Sequence, residues 1–170
     1  RECDFNMVRL GISLYGPYPS SEVSRDIKLK TALELKTIVS NIKTIEKGTS
    51  VSYAGTYTVG KDTKIATLPV GYADGFPRTQ KNPQAFINGR LLNIVGRICM
   101  DQTMVEVPND LDVNMEDEVI LIGDIDGIRI GDISSKMGTI DHEILCCLTK
   151  RVNRVYITND SKYTVNHLLD

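Results

Sequence analysis

The 170-residue sequence predicts a mainly β fold, a compact antiparallel barrel or sandwich with one or two short helices. Three observations lead to this prediction. The apolar runs are short, Asn88-Gly89 and Asp126-Gly127 stand between such runs, and residues 27–39 alternate apolar with polar side chains. Asn-Gly and Asp-Gly favour hairpin turns because both residues accept positive φ. Alternation with a period of two indicates a strand with one buried face.

The elements follow in chain order. Residues 4–16 predict a short strand and a glycine-containing turn, and Pro17 and Pro19 then mark a linker. Besides the strand at residues 27–39, strands are predicted at 63–70, 85–87, 91–98, 104–107, 118–122, 128–130 and 151–157. Helices are predicted at residues 132–136, with Asp132 as N-cap, and at 141–148. The polar tail at residues 158–170 is expected to fray.

Composition excludes several classes of partner. The chain is 41% apolar and 25% charged with a net charge of −2, which is typical of a globular protein and argues against nucleic-acid binding. No apolar run approaches the ~20 residues of a membrane span. The cysteines lack metal-ligand spacing and are expected to be free thiols in a reducing cytoplasm, so no metal site is predicted. They are Cys3, Cys99, Cys146 and Cys147.

Three segments carry candidate chemistry: residues 52–57, 69–78 and 95–104. Each sets polar or aromatic residues beside glycine near an apolar strand, where a scaffold presents functional groups on loops. Each also has a purely structural interpretation, such as a packed tyrosine, Asp74 bonding its own backbone, or Asp101 pairing with Arg97. The residues alone therefore leave open a non-enzymatic β domain used for dimerisation.

Together these segments resemble the C-terminal domain of the alanine racemase family, in the family's order and spacing, over about residues 5–157. The resemblance implies a two-domain enzyme, in which a (β/α)8 barrel holding pyridoxal phosphate precedes a β domain. Residues 1–22 would be a remnant of the last barrel strand with the linker, 23–160 the C-terminal β domain, and 161–170 a polar tail. The attachment lysine is not in this chain, so the fragment alone is expected to be inactive.

The resemblance also implies residue roles. Tyr53 would be the catalytic base on one face of the substrate, reaching the barrel domain of a second subunit in a homodimer, while a barrel lysine serves the other face. The expected cofactor-binding residues are Arg9, which would donate to the pyridine nitrogen, Gly11 and Ile12, which would donate to the phosphate, and His142. The expected substrate-binding residues are Tyr72 and Met100, and the expected entry corridor consists of Arg78, Arg97 and Ile140.

The implied activity is interconversion of L- and D-alanine for cell-wall peptidoglycan in the cytoplasm, with membrane tethering through a preceding segment left open. Two positions depart from the family. His142 stands where many members have a tyrosine, which reshapes the pocket and keeps a serine or serine/alanine racemase as the alternative. Ala54 stands where the family commonly has glycine, at a cost of about 1 kcal/mol if φ is positive.

Overall fold

The computed structural model describes residues 6–159 and 161–167. Within them the chain is mainly antiparallel β with two short α-helices, which confirms the predicted fold class. The strands are β1 (Leu35–Ile38), β2 (Asn41–Ile45), β3 (Ser50–Val51), β4 (Tyr57–Thr58), β5 (Thr63–Leu68), β6 (Gln84–Ile87), β7 (Arg90–Asn93), β8 (Thr103–Val107), β9 (Glu118–Ile122), β10 (Arg154–Ile157) and β11 (Lys162–Val165). The α-helices are α1 (Ile130–Met137) and α2 (Asp141–Cys147), and short 3-10 helices cover Ile12–Tyr15, Tyr53–Gly55 and Tyr72–Asp74.

Two larger sheets form the body of the domain. One has the strand order β1-β9-β6-β7 and the other the order β2-β5-β8, while β3-β4 and β10-β11 form separate pairs. The consecutive strands β1 and β2 belong to different sheets, and an isolated bridge between Ile94 and Val105 joins the end of β7 to β8. The larger sheets are therefore linked at two points and share, as their core, the larger of two buried hydrophobic clusters of the described residues.

That core follows from the alternation of side chains along the strands. In β8 the first, third and fifth residues are buried, and β5 buries Leu68 without exposed area. Ile133 of α1 and Ile144 of α2 close the core from outside the sheets. Each fully buried aliphatic side chain stabilises the fold by roughly 1.5–3 kcal/mol relative to exposure. This packing supplies the rigid base from which the loops at the strand ends project.

Of the two predicted hairpin turns, the one at Asn88-Gly89 is confirmed. The one at Asp126-Gly127 is wrong, because the segment there leads from β9 into α1 and not into a paired strand. The Asn88-Gly89 turn joins β6 to β7 with φ of 45° at Asn88 and 83° at Gly89, the two positive values that a type I′ turn requires. The side-chain amide of Asn88 donates to the Asp112 carbonyl at 2.9 Å and to the Asp117 carboxylate at 2.7 Å. The predicted strand 118–122 coincides with β9, and the predicted second helix with α2 apart from its last residue.

Two strand predictions near the N-terminus are wrong in extent. Of residues 27–39 only Leu35–Ile38 form a strand, and Ile27 is exposed. Residues 6–11 form no strand, and Ile12–Tyr15 form a 3-10 helix, while residues 4 and 5 of the predicted strand lie outside the described residues. Among the described residues, 6–11 and the part of 27–39 that precedes Leu35 have no neighbouring strand to hydrogen-bond with, so alternation alone does not produce one.

Further corrections concern the last third of the chain. Residues 128–130 are not a strand, because Ile130 already begins α1. Asp132 lies inside the first turn instead of at the N-cap, and its carboxylate accepts the N–H groups of Gly127 and Arg129 at 2.7 and 3.2 Å. The predicted strand 91–98 is shorter, because β7 ends at Asn93. Within the tail that was expected to fray, β11 pairs with β10; the domain boundaries themselves stay a prediction.

Candidate active site

Tyr53 projects from a strained turn between β3 and β4. Ser52 has φ 68° and ψ 179°, and Ala54 has φ 61° and ψ 14°. Non-glycine residues rarely adopt positive φ, because Cβ then crowds the backbone. Ala54, which stands where the family commonly has glycine, therefore does adopt the left-handed conformation. The turn leaves Tyr53 71% exposed, so its hydroxyl is available to another molecule.

The turn is fastened to the third candidate segment by its first residue. The Ser52 hydroxyl donates to the Arg97 carbonyl at 2.6 Å and lies 3.5 Å from the Cys99 thiol. At the other end of the turn, the Tyr57 hydroxyl donates to the Glu106 carboxylate at 2.8 Å. Burial, and secondarily this bond, raise the pKa of Tyr57 to about 12. Both ends of the turn are therefore anchored, and Tyr53 is held between them.

The second and third candidate segments pack directly on each other. The N–H of Tyr72 donates to the Cys99 carbonyl at 3.1 Å, and the N–H of Ala73 donates to the Met100 carbonyl at 3.0 Å. A Cβ on Gly71 would lie only 2.2 Å from the Cys99 carbonyl oxygen and 2.3 Å from that of Met100. Only glycine allows this approach. The loops that carry Tyr72 and Met100 therefore form one unit.

Arg151 joins the charged ends of these loops. Its Nη2 donates to the Asp101 carboxylate at 2.6 Å, and its Nε lies 3.4 Å from that of Asp74. The bond to Asp101, and then the charge of Asp74, raise the pKa of Arg151 above its ordinary value. Asp101 thus pairs with Arg151 and not with Arg97. The carboxylate of Asp74 does accept a backbone bond, from the N–H of Gly71 at 2.8 Å.

Tyr53 and Met100 line the same cavity of about 720 Å³, together with Ser52, Cys99 and Asp101. The carbonyls of Cys99 and Met100 are occupied by the Tyr72 loop, whereas the N–H of Met100 donates to no acceptor within residues 6–159 and 161–167. A backbone N–H without a partner beside a cavity is a donor that a ligand oxygen can satisfy. The cavity is therefore lined by a tyrosine and by a residue whose backbone N–H has no acceptor in the described part of the chain.

Gly11, Ile12 and His142 line a second cavity of about 590 Å³. A Cβ on Gly11 would meet no heavy atom within 4 Å, so the backbone is open to a ligand there. In the described part of the chain the N–H groups of Gly11 and Ile12 donate to no acceptor. Among the residues that the structure describes, the two cavities share no lining residue. Arg9 is exposed and does not line the second cavity.

The remaining predicted residues stay at the surface. Tyr72, Arg78, Arg97 and Ile140 are all exposed, and none of them lines either cavity. The Tyr72 backbone is nevertheless bonded to the Met100 loop, and the Arg97 carbonyl holds Ser52. The sequence did not single out Ser52 or Arg151. Ser52 lies inside the candidate segment at residues 52–57. Nothing in the residues around Arg151 indicates that it binds Asp101, which lies 50 positions earlier.

Comparison with known proteins identifies the family of this chain. The family of the alanine racemase C-terminal domain matches residues 32–156. The chain belongs to this family. An alanine racemase of Clostridium perfringens is 45% identical over 166 residues, covering 95% of this chain and 43% of that protein. "Alanine racemase 2" of Caldanaerobacter subterraneus is 42% identical over 167 residues, covering 96% of this chain and 43% of that protein.

Solved alanine racemases share the fold. The alanine racemase of Clostridium difficile, in complex with cycloserine, superposes with a TM-score of 0.92 at 45% identity, covering 96% of this chain and 44% of that one. That of Bacillus anthracis, with bound L-Ala-P, gives 0.89 at 37% identity, covering 97% and 44%. The chain therefore spans less than half the length of the alanine racemases that it matches.

Other features of the described residues add little to the site. Cys99, Cys146 and Cys147 are free thiols. Burial, followed by the charges of Glu143 and Cys146, raises the pKa of Cys147. Over the described ranges, no helix is long and apolar enough to span a bilayer, and no cluster of three or more His, Cys, Asp or Glu side chains is placed to hold a metal ion.

Proposed function

We propose that this chain is the C-terminal part of a pyridoxal-phosphate-dependent alanine racemase, in which Tyr53 moves the α-proton between L- and D-alanine. The observation that carries the proposal is the exposed Tyr53 hydroxyl on a strained, anchored turn, lining one cavity with the unpaired N–H of Met100. Membership of the alanine racemase family supports alanine over serine as the substrate. The D-alanine formed would serve peptidoglycan synthesis, and a cytoplasmic location, consistent with three free thiols, stays a prediction.

The second cavity suits the phosphate end of the cofactor. Its volume of about 590 Å³ lies in the range of cofactor sites, and Gly11 leaves room for close approach. The N–H groups of Gly11 and Ile12 would donate to phosphate oxygens, and His142 on the same wall would add a side-chain donor. We assign Arg9, two residues before Gly11, to the pyridine nitrogen, which a permanently charged guanidinium would leave unprotonated.

Two bases are needed for inversion at carbon. Pyridoxal phosphate, when bound, supplies the electron sink for the carbanion. Tyr53 Oη would take the α-proton on one face as phenolate, or return it as phenol, and the lysine outside this chain would do the same on the other face. The Met100 N–H would hold the substrate carboxylate and so fix which face Tyr53 meets. Arg78, Arg97 and Ile140 would form the entry corridor, with Tyr72 next to the substrate.

The separation of the cavities supports a homodimer with shared sites. Tyr53 lines one cavity, Gly11 and His142 line the other, and no described residue belongs to both. Within one chain the proposed base therefore does not face the proposed cofactor groups. We infer that Tyr53 serves the barrel domain of a second subunit, which a two-fold dimer would provide at both sites.

The test is Tyr53→Phe in the full-length enzyme. Loss of one of two bases should lower racemisation by roughly 10²–10⁴-fold, in either direction. Exchange of the α-proton with solvent on the lysine face should persist, which separates a missing base from a missing cofactor. Tyr163→Phe, at an exposed tyrosine on β11, is the matched control and should leave the rate unchanged. Activity of Tyr53→Phe near that of the control would refute the proposal.

Mixed dimers test the shared site. Subunits that carry only Tyr53→Phe would be mixed with subunits that carry only Gly11→Trp, whose new side chain fills the second cavity. In a random mixture, roughly half of the dimers are hybrids and each hybrid has one complete site, so activity should return to about a quarter of the unmodified level. If no activity returns, Tyr53 and Gly11 belong to a site within one chain.

Parallel assays with serine test the alternative substrate. Faster turnover of serine than of alanine would show that serine is the substrate instead.

A further inference from the structure

The side chain of Arg151 stands outside both cavities, yet it touches the two loops beside the substrate-binding cavity. Its guanidinium binds Asp101, which directly follows Met100, and Asp74, which ends the 3-10 helix begun by Tyr72. The two carboxylates differ in environment. The side chain of Asp74 is 14% exposed and that of Asp101 52% exposed, so Arg151 links a half-exposed carboxylate to a largely buried one.

Arg151 is itself held in place by backbone bonds. Its N–H donates to the Thr149 hydroxyl at 3.3 Å. Thr149 in turn donates through its N–H to the Asp74 carbonyl at 3.1 Å and through its hydroxyl to the Ala73 carbonyl at 3.0 Å. The segment that carries Arg151 therefore rests on the Tyr72 loop. From that base the guanidinium reaches across to the Met100 loop.

We propose that Arg151 is a positioning residue for binding of the substrate carboxylate, because it fixes the Met100 loop through Asp101 and the Tyr72 loop through Asp74. The inference rests on the proposed function, in which the Met100 N–H receives the carboxylate. A backbone donor can move only with its loop, and the Met100 loop is held by backbone bonds on one side and by Arg151 on the other. Arg151 also offsets two negative charges that would otherwise repel the carboxylate of the substrate.

The first variant is Arg151→Met in the full-length holoenzyme, with Arg90→Met as matched control. Arg90 makes the same kind of exposed pair, 2.9 Å from Asp110, and lines neither proposed site. Arg151→Met should raise KM for alanine by about tenfold with kcat little changed, since ground-state and transition-state binding of the carboxylate weaken alike. The inhibition constant of propionate, a substrate carboxylate without the amine, should rise in parallel. Arg90→Met should change neither.

Asp101→Asn separates positioning from charge. It keeps the shape of the side chain but weakens the bond to Arg151. Positioning predicts a KM several-fold higher, whereas a purely electrostatic role predicts a lower KM, because a negative charge near the substrate is removed. Asp101 is exposed, so this variant should fold even if Arg151→Met does not. An unchanged or lower KM in Asp101→Asn would overturn the proposal.

Hydrogen exchange provides a readout independent of catalysis. The N–H groups of Tyr72 and Ala73 bond the Met100 loop, and should exchange faster in Arg151→Met or Asp101→Asn than in Arg90→Met. If the unmodified enzyme fails to racemise alanine, the proposed function is wrong, and this exchange still decides whether Arg151 holds the loops. Exchange rates equal to those of the control would refute the positioning role.

Discussion

Gly71→Ala offers a direct test of how closely the Tyr72 and Met100 loops must approach. The Gly71 backbone, at φ −151° and ψ −162°, is extended, so alanine can adopt it and the substitution tests space alone. The new Cβ would lie 2.2 Å from the Cys99 carbonyl oxygen and 2.5 Å from the Met100 carbonyl carbon. Ordinary contacts lie near ~3.5 Å, so the loops must separate by roughly 1 Å.

The expected effect on catalysis is comparable in free energy to the effect on stability. Overpacking of this kind destabilises by roughly 1–3 kcal/mol. Because the obstructing atoms are backbone next to the Met100 N–H, the shift moves the proposed carboxylate donor. A displacement of about 1 Å can lower kcat/KM by around 10²-fold. Under the proposed function, Gly71→Ala should therefore lose activity at temperatures where it remains folded.

The assay compares full-length Gly71→Ala with Gly60→Ala. Gly60 is exposed, has no positive φ, and a Cβ there would meet no heavy atom within 4 Å. Its substitution should change the free energy of unfolding by less than about 0.5 kcal/mol and leave racemisation intact. Urea denaturation and kcat/KM for alanine would be measured on both. Equal kcat/KM in the two variants would show that the contact does not position the Met100 loop.

Three further predictions concern the Tyr53 turn. Ala54→Gly should raise the free energy of unfolding by about 0.5–1 kcal/mol in denaturant titrations, because glycine relieves the left-handed strain but is more flexible when unfolded; a destabilised variant would count against that strain. Ser52→Ala, which removes the bond to the Arg97 carbonyl, should lower kcat with little change in KM, and unchanged kcat would mean that the turn holds itself. Tyr57 keeps its proton longer when folded than when unfolded, so its contribution to stability is complete below about pH 10 and is lost as pH rises through about 12. Unfolding titrations across that range should show a steeper alkaline loss in the unmodified chain than in Tyr57→Phe, and parallel curves would contradict the raised pKa.

Local turn chemistry was enough to predict part of the fold. Asn88-Gly89 produces its hairpin because both residues accept positive φ without help from distant parts of the chain. The alternation at residues 27–39 shows the opposite case, since only Leu35–Ile38 finds a partner, in β9. A strand needs a neighbour, and a local pattern does not say whether one exists. Ile130 was predicted to end a strand but begins α1, where the Asp132 carboxylate accepts the N–H groups of Gly127 and Arg129 at the start of the helix.

The site was predicted only as far as its motifs reach. The segments of Tyr53, Tyr72 and Met100 were recognisable because each is a contiguous stretch, and the structure brings the Tyr72 and Met100 loops together. Arg151 was missed because its partner lies 50 residues away, and an isolated arginine carries no local signal. Pairings across such distances are set by how the sheets pack and not by neighbouring residues.

Within residues 6–159 and 161–167 the two cavities have no common lining residue, and this separation has a consequence for handling the enzyme. Under the proposed function, every working centre needs parts from two polypeptides, so a separated subunit has no turnover even when it is correctly folded. Specific activity should then decline on dilution below the dissociation constant of the assembly and return on concentration, by mass action. The amount of enzyme in a cell would thus set both the number of centres and the fraction of them that work.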